Sequence, residues 1–166
     1  MKTKITIFVL FAVLLGCKKD NHITLTTDLT GCAVDKPCLY SYFDRADFNG
    51  RQPVSGNYRA FSYSSGNPNS CGPTASLYFK SALSNTEFVI DSNQIAAGQV
   101  VAYYFSCPCC EDIYLNLQKP IGGEIKGKRT DTTHWLINAK IVLGTSINMP
   151  LDTLVVNQYF TLAPLP

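Results

Sequence analysis

The sequence predicts an all-β domain: an antiparallel β-sandwich, immunoglobulin-like or related, of about eight or nine short strands. Three observations carry that expectation. Apolar and polar residues alternate with period two in run after run, as half-buried strands require. Stretches rich in Gly, Pro, Asn and Ser separate the runs. No window of about 12 residues carries a helical stripe.

In chain order, the first run is 23–29, with Ile23, Leu25, Thr27 and Leu29 on one face and Thr24, Thr26 and Asp28 on the other. Similar runs follow at 39–43, 58–63, 75–79, 86–90, 100–105, 112–117, 133–143 and 154–162. Residues 73–83 are the best helix candidate. Yet Ala75, Leu77 and Phe79 alternate with Ser76, Tyr78 and Lys80, which is a strand pattern. In the strongest run, Trp135, Ile137, Ala139, Ile141 and Leu143 face one way, opposed by His134, Asn138 and Lys140. Turns are expected at Asn49-Gly50, 53–57, 64–73, Gly122-Gly123 and 148–150. Residues 23–166 read as one domain.

Charge narrows the function classes. Charged residues make up 16% of the 166, against about 25% for an ordinary soluble domain. The formal net charge is +2, which gives no electrostatic footprint for nucleic acid.

Residues 1–16 have the parts of an export signal. Lys2 and Lys4 precede an uncharged run, 5–15, that is too short to span about 30 Å of hydrocarbon as a helix. Leu14-Leu15-Gly16-Cys17 then resembles the lipobox of bacterial lipoproteins. The resemblance implies cleavage before Cys17, lipid on its sulfur and acylation of its new amino group, since stable anchoring takes more than one acyl chain. Residues 17–22 would be the lipidated tether, with Lys18 following the anchor. Lys18 is not the Asp linked to inner-membrane retention, which favours the outer membrane, with the domain on its periplasmic or its outer side.

Six cysteines remain: Cys32, Cys38, Cys71, Cys107, Cys109 and Cys110. An exported chain places them where thiols oxidise. Three lie in Cys107-Pro108-Cys109-Cys110, so full intramolecular oxidation requires a bridge out of the cluster. Cys32–Cys38, closing a short loop, and Cys71 to one cluster member are the expected pairs. An adjacent Cys109–Cys110 bridge fits disulfide geometry only with strain.

Two chemical alternatives rest on the same cluster. Cys107 and Cys110 have C-x-x-C spacing after the apolar run 100–105, which resembles the opening of thioredoxin-like oxidoreductases. That resemblance implies Cys107 as nucleophile, Cys110 as resolving thiol and Met149-Pro150 as the cis-proline site. Alternatively, Cys107, Cys109 and Cys110 with Cys71 or His134 would hold a soft metal ion.

Other motifs lack essential parts. Gly122 to Lys128 matches G-x-x-x-x-G-K, but Arg129 stands where Ser or Thr is needed, so a glycine-rich hairpin with Lys126, Lys128 and Arg129 at its tip is expected. Asp47-Phe48-Asn49-Gly50 has the middle of a calcium loop without its terminal ligands, leaving Asp44 and Asp47 as candidates for a weaker site. His22 and His134 have no spaced partner, and Glu111-Asp112 has no designated second carboxylate.

Nine tyrosines are a further signal. Tyr58, Tyr63, Tyr78, Tyr103 and Tyr104 are candidates for an exposed platform that stacks sugar rings or anchors a partner. The expected function is therefore a lipid-anchored envelope binding or structural module without catalytic residues or a cofactor. Its partners would be the membrane and an envelope protein or glycan. Thiol-redox or metal handling and glycan binding are the alternatives.

Overall fold

The computed structural model describes residues 23–32, 36–66, 71–107, 109, 118–145 and 147–166. The expected signal 1–16, the tether with Cys17 and His22, Cys110, Glu111-Asp112 and the run 112–117 lie outside them. Among the described residues there are eight strands and one short helix. These are β1 (Cys38–Asn49), β2 (Gln52–Ser65), β3 (Thr74–Ala82), β4 (Glu87–Ile90), α1 (Ser92–Ala96), β5 (Val101–Ser106), β6 (Lys119–Arg129), β7 (His134–Gly144) and β8 (Pro150–Leu162). No helix among the described residues is long and apolar enough to cross a membrane.

All eight strands belong to one sheet, in the order β4-β6-β7-β8-β1-β2-β3-β5. Two separate sheets were expected. They merge because β8 pairs in parallel with β1 through Ser41↔Thr161 and Tyr42↔Leu162. The other neighbours are antiparallel. A parallel pair between the first and last strands has no local signature, since alternation reports a buried face and says nothing of a distant neighbour.

The sheet curls around its apolar face. Phe61 of β2 stacks on Phe79 of β3 at 4.9 Å between ring centroids, and also meets Phe88 of β4, Trp135 of β7 and Phe160 of β8 at 5.4, 5.6 and 6.0 Å. The β2–β3 wall therefore faces the β4–β7–β8 wall across a core of interlocked rings. Arg59 enters from one side, stacked on Trp135 at 4.6 Å and bonded to Asp44 at 2.6 Å.

Strand β6 corrects the hairpin expected around Gly122-Gly123. Ile125 and Gly127 face the core, while Glu124, Lys126 and Lys128 face out. A Cβ at Gly127 would strike the Phe88 ring and come within 2.8 Å of Ile137 Cδ1. Gly123, at φ +116°, lies against the Lys140 carbonyl. These glycines make room for neighbours rather than turning the chain. Lys126 and Lys128 are accordingly strand residues, paired with Glu124 and Glu87 at 2.7 and 3.9 Å. Arg129 ends the strand and donates to the Asp131 and Thr132 carbonyls.

The run 23–29 is also corrected: it is extended but pairs in no ladder. The Asn138 side chain holds both the N–H and the C=O of Thr26. Thr30 N–H donates to the Asn157 carbonyl at 2.8 Å, and Thr30 Oγ1 accepts from the Asn157 N–H at 2.9 Å. The segment is thus fastened to the outside of β7 and to β8 largely through side chains. The expected turn at 53–57 is instead part of β2, and α1 was not foreseen. Its capping box, Asp91 with Gln94, fixes a single turn that buries Ile95.

Candidate functional site

The outer face of β1, β2, β3 and β5 is built in cross-strand rows. Register places Leu39, Ser64, Ser76 and Tyr104 in one row and Ser41, Ser62, Tyr78 and Ala102 in the next. A third row holds Phe43, Ala60 and Lys80. The face is therefore serine-rich at its centre and aromatic at one side.

The β1–β2 hairpin doubles back over this floor. Twelve residues of straight strand would put Arg51 about 40 Å from Leu39, yet both line one cavity. The reversal occurs where the β1–β2 register is interrupted near Ala46. There Arg45 adopts φ 54°, and Gly56 lies so close to Asp47 that a Cβ would come within 2.7 Å of the Asp47 Cβ. Beyond the bulge the tip is regular again, from Asp47↔Val54 to Asn49↔Gln52, with Gly50 at φ 62° in the turn.

Three contacts hold the tip down. Phe48 packs on Tyr78 at 4.7 Å between centroids. Lys80 Nζ donates to both Asp47 oxygens, at 2.9 and 3.2 Å, and also lies over the Tyr58 ring at 4.6 Å. Arg51 lies 4.9 Å from the Tyr104 centroid. Burial pushes the Asp47 carboxyl upward, but the Lys80 ammonium and the Phe48 N–H outweigh it and hold it below the usual carboxylate range.

A cavity flanks the tip on each side. One of about 180 Å³ is bounded by Asp47, Phe48, Tyr78, Lys80, Gln99 and Tyr104, among others. The second, of about 280 Å³, lies between Arg51 and Leu39 over Ser64 and Ser76, with Gly66 and Thr74 at its rim. Rings, a guanidinium, an ammonium and hydroxyls thus converge on one face.

The five tyrosines named from sequence divide between the two faces. Tyr58, Tyr78 and Tyr104 are on the outer face, where Lys80, Phe48 and Arg51 respectively lie against them. Tyr63 and Tyr103 face inward with the core. Burial, followed by the nearby Asp152 carboxylate, raises the Tyr103 phenol from 10.0 to about 12. Between those values only the unfolded chain loses the proton. We therefore expect stability contributed by Tyr103 to be intact below pH 10 and to fall away as pH rises toward 12. Urea titrations across that window are expected to show a shallower alkaline decline for Tyr103→Phe than for the natural chain.

The cysteines lie at the serine-row end of this face. Cys32 is joined to Cys38 and Cys71 to Cys109, with Cα separations of 5.9 and 5.4 Å. Cys107 is disulfide-bonded too, and it is buried. The Cys71–Cys109 bridge ties the entry of β3 to the exit of β5. Two donors considered for a metal are therefore bonded to each other. Among the described residues no group of three or more His, Cys, Asp or Glu is placed to hold a metal. Strand β5 enters the cluster antiparallel to β3, and no cis peptide bond occurs at Met149-Pro150. Cys110, which the thioredoxin-like resemblance makes the resolving thiol, lies outside the described residues.

Asp44 and Asp47 do not converge on a calcium position, because Arg59 and Lys80 neutralise them separately. His134 Nδ1 is 2.9 Å from the Asp131 carboxylate in the β6–β7 turn. The Thr133 N–H and the His134 ring help hold Asp131 down to about 2. Both belong to the closure of that turn. Sequence reasoning passed over Arg51 and the serine rows and placed Phe48 only in a calcium-loop pattern, since only register and hairpin reversal bring them together.

The chain matches no protein-family model, no curated protein and no solved structure.

Proposed function

We propose that this protein is a non-catalytic binding module of the bacterial envelope, anchored to the outer membrane through lipid on Cys17 and engaging its partner with the outer face of β1, β2, β3 and β5. The observation that carries this reading is the pair of cavities beside the reversed hairpin. Aromatic surface and unlike polar groups converge there, as small-ligand sites require. The anchor supports the same arrangement. Residues 23–30 are fastened to the wall containing β7 and β8, and a tether of five residues, 18–22, reaches at most about 18 Å. The β7–β8 wall would then be held toward the bilayer, with the serine-tyrosine face turned away. We read the opposed walls of the curled sheet as a sandwich-like packing, which gives such a face a rigid backing.

A photo-crosslinker placed at Ser76 tests the proposal against the same group at Lys140, on the opposite outer face. We expect envelope material to be captured from Ser76 and not from Lys140, and Cys17→Ser to lose fatty-acid label and leave the membrane fraction. Equal capture from both positions, or membrane retention and labelling of Cys17→Ser, would overturn the corresponding half of the proposal.

A further inference from the structure

We infer that the cavity between Arg51 and the serine row takes an acidic sugar, with Arg51 receiving its carboxylate and the row receiving its hydroxyls. This rests on the reading of that face as the binding face and adds the ligand's chemical class.

Three observations lead to it. First, Arg51 is a cation without an anion partner among the described residues. Among the described residues the carboxylates in ion pairs are Asp44, Asp47, Glu87, Glu124 and Asp131, and each pairs with a different base. The guanidinium carbon lies over the Tyr104 ring, 4.9 Å from its centroid, a contact that does not use the N–H donors a carboxylate fork needs. Second, the floor beside it is hydroxyl-bearing: Ser64 and Ser76 are cross-strand neighbours, with Thr74 at the rim. Hydroxyls that both donate and accept suit a ligand that carries hydroxyls of its own. Third, the cavity is small and its walls are fixed. At about 280 Å³ it falls just below the usual range of small-molecule sites, which begins near 300 Å³. Disulfides brace both sides: Cys32–Cys38 holds the entry of β1, and Cys71–Cys109 holds the entry of β3. Pro37 C=O accepts from Gly66 N–H at 3.1 Å across the same end.

Each component selects against another ligand class. A neutral sugar would leave the guanidinium unused. A bare inorganic anion would leave the serine row and Leu39 unused. Leu39, among the most exposed apolar side chains described, supplies the surface against which the C–H face of a sugar ring packs.

Calorimetry on the full chain, with tetragalacturonate and its fully methyl-esterified counterpart as probes, tests the assignment. We expect the acid to bind at least tenfold more tightly than the ester. Arg51→Ala is expected to remove that preference while lowering the melting temperature only slightly, since the side chain sits on an exposed turn and loses one ring contact. Arg51→Lys is expected to restore part of it, and Ser76→Ala to weaken both probes. Equal affinity for acid and ester, or an acid preference that survives Arg51→Ala, overturns the assignment of Arg51. Absence of binding by either probe overturns the sugar assignment. The crosslinking from Ser76 described above then reports separately whether the face binds at all.

Discussion

Phe61→Ala is expected to remove about 3–5 kcal/mol of stability, the range for deleting a fully buried aromatic ring. A domain of this kind has about 5–15 kcal/mol in total, so the variant should retain a small margin or unfold. The size of the effect follows from position. Phe61 is fully buried and its ring meets Tyr42, Phe79, Phe88, Trp135 and Phe160, which belong to five other strands. Its removal leaves a void between the two walls that rings on separate strands cannot jointly fill. Urea unfolding gives the value directly. Phe61→Leu, which keeps much of the volume, should lose far less. A loss from Phe61→Ala below about 1 kcal/mol would show that the walls are held together elsewhere.

Replacing both Cys71 and Cys109 by Ala is expected to cost about 4 kcal/mol. The bridge closes a loop with a sequence separation of 38, and the chain-entropy relation for that length gives roughly this figure. Cys32–Cys38, with a separation of 6, should contribute nearer 2 kcal/mol by the same relation. Guanidinium unfolding without reductant should rank the two double variants in that order. The reverse order would mean that β3–β5 pairing already holds the longer loop closed in the unfolded ensemble. Because Cys71–Cys109 holds the entry of β3, whose Thr74 and Ser76 line the cavity beside Arg51, its loss should also weaken binding there.

Much of the strand content was legible as alternation, because a strand with one face on a core must repeat every two residues. Leu77 and Phe79 point inward while Ser76, Tyr78 and Lys80 point outward, which resolves the helix-like stretch 73–83 as β3. Where side chains do not report the buried face, the reading failed. In β6, glycine occupies the inward position opposite Phe88, so the strand looked like a turn. In the run 23–29 the alternation is present, but the backbone is held by the Asn138 and Thr30 side chains instead of a partner strand. One omission had a readable signal: Asp91 followed three residues later by Gln94 is a capping box, and it marks α1.

The candidate face was less accessible to sequence. Tyr58, Tyr78 and Tyr104 could be named but not separated from Tyr63 and Tyr103, because sidedness depends on register. Arg51 carried no motif at all. It gains its setting only because the hairpin reverses at Arg45 and Gly56 and brings residue 51 over strands that begin near residues 39 and 74.

From residues alone came the all-β class, most strand positions, the odd number of cysteines in the cluster and the near-neutral charge, because each is a local or compositional property of the chain. The tertiary structure decided that the eight strands form one curled sheet, that Cys109 is the cluster member joined to Cys71, and that Arg51 stands over a serine floor. These are relations between residues far apart in sequence. They are set by which apolar faces meet when the core closes, and that choice is made by the whole chain at once.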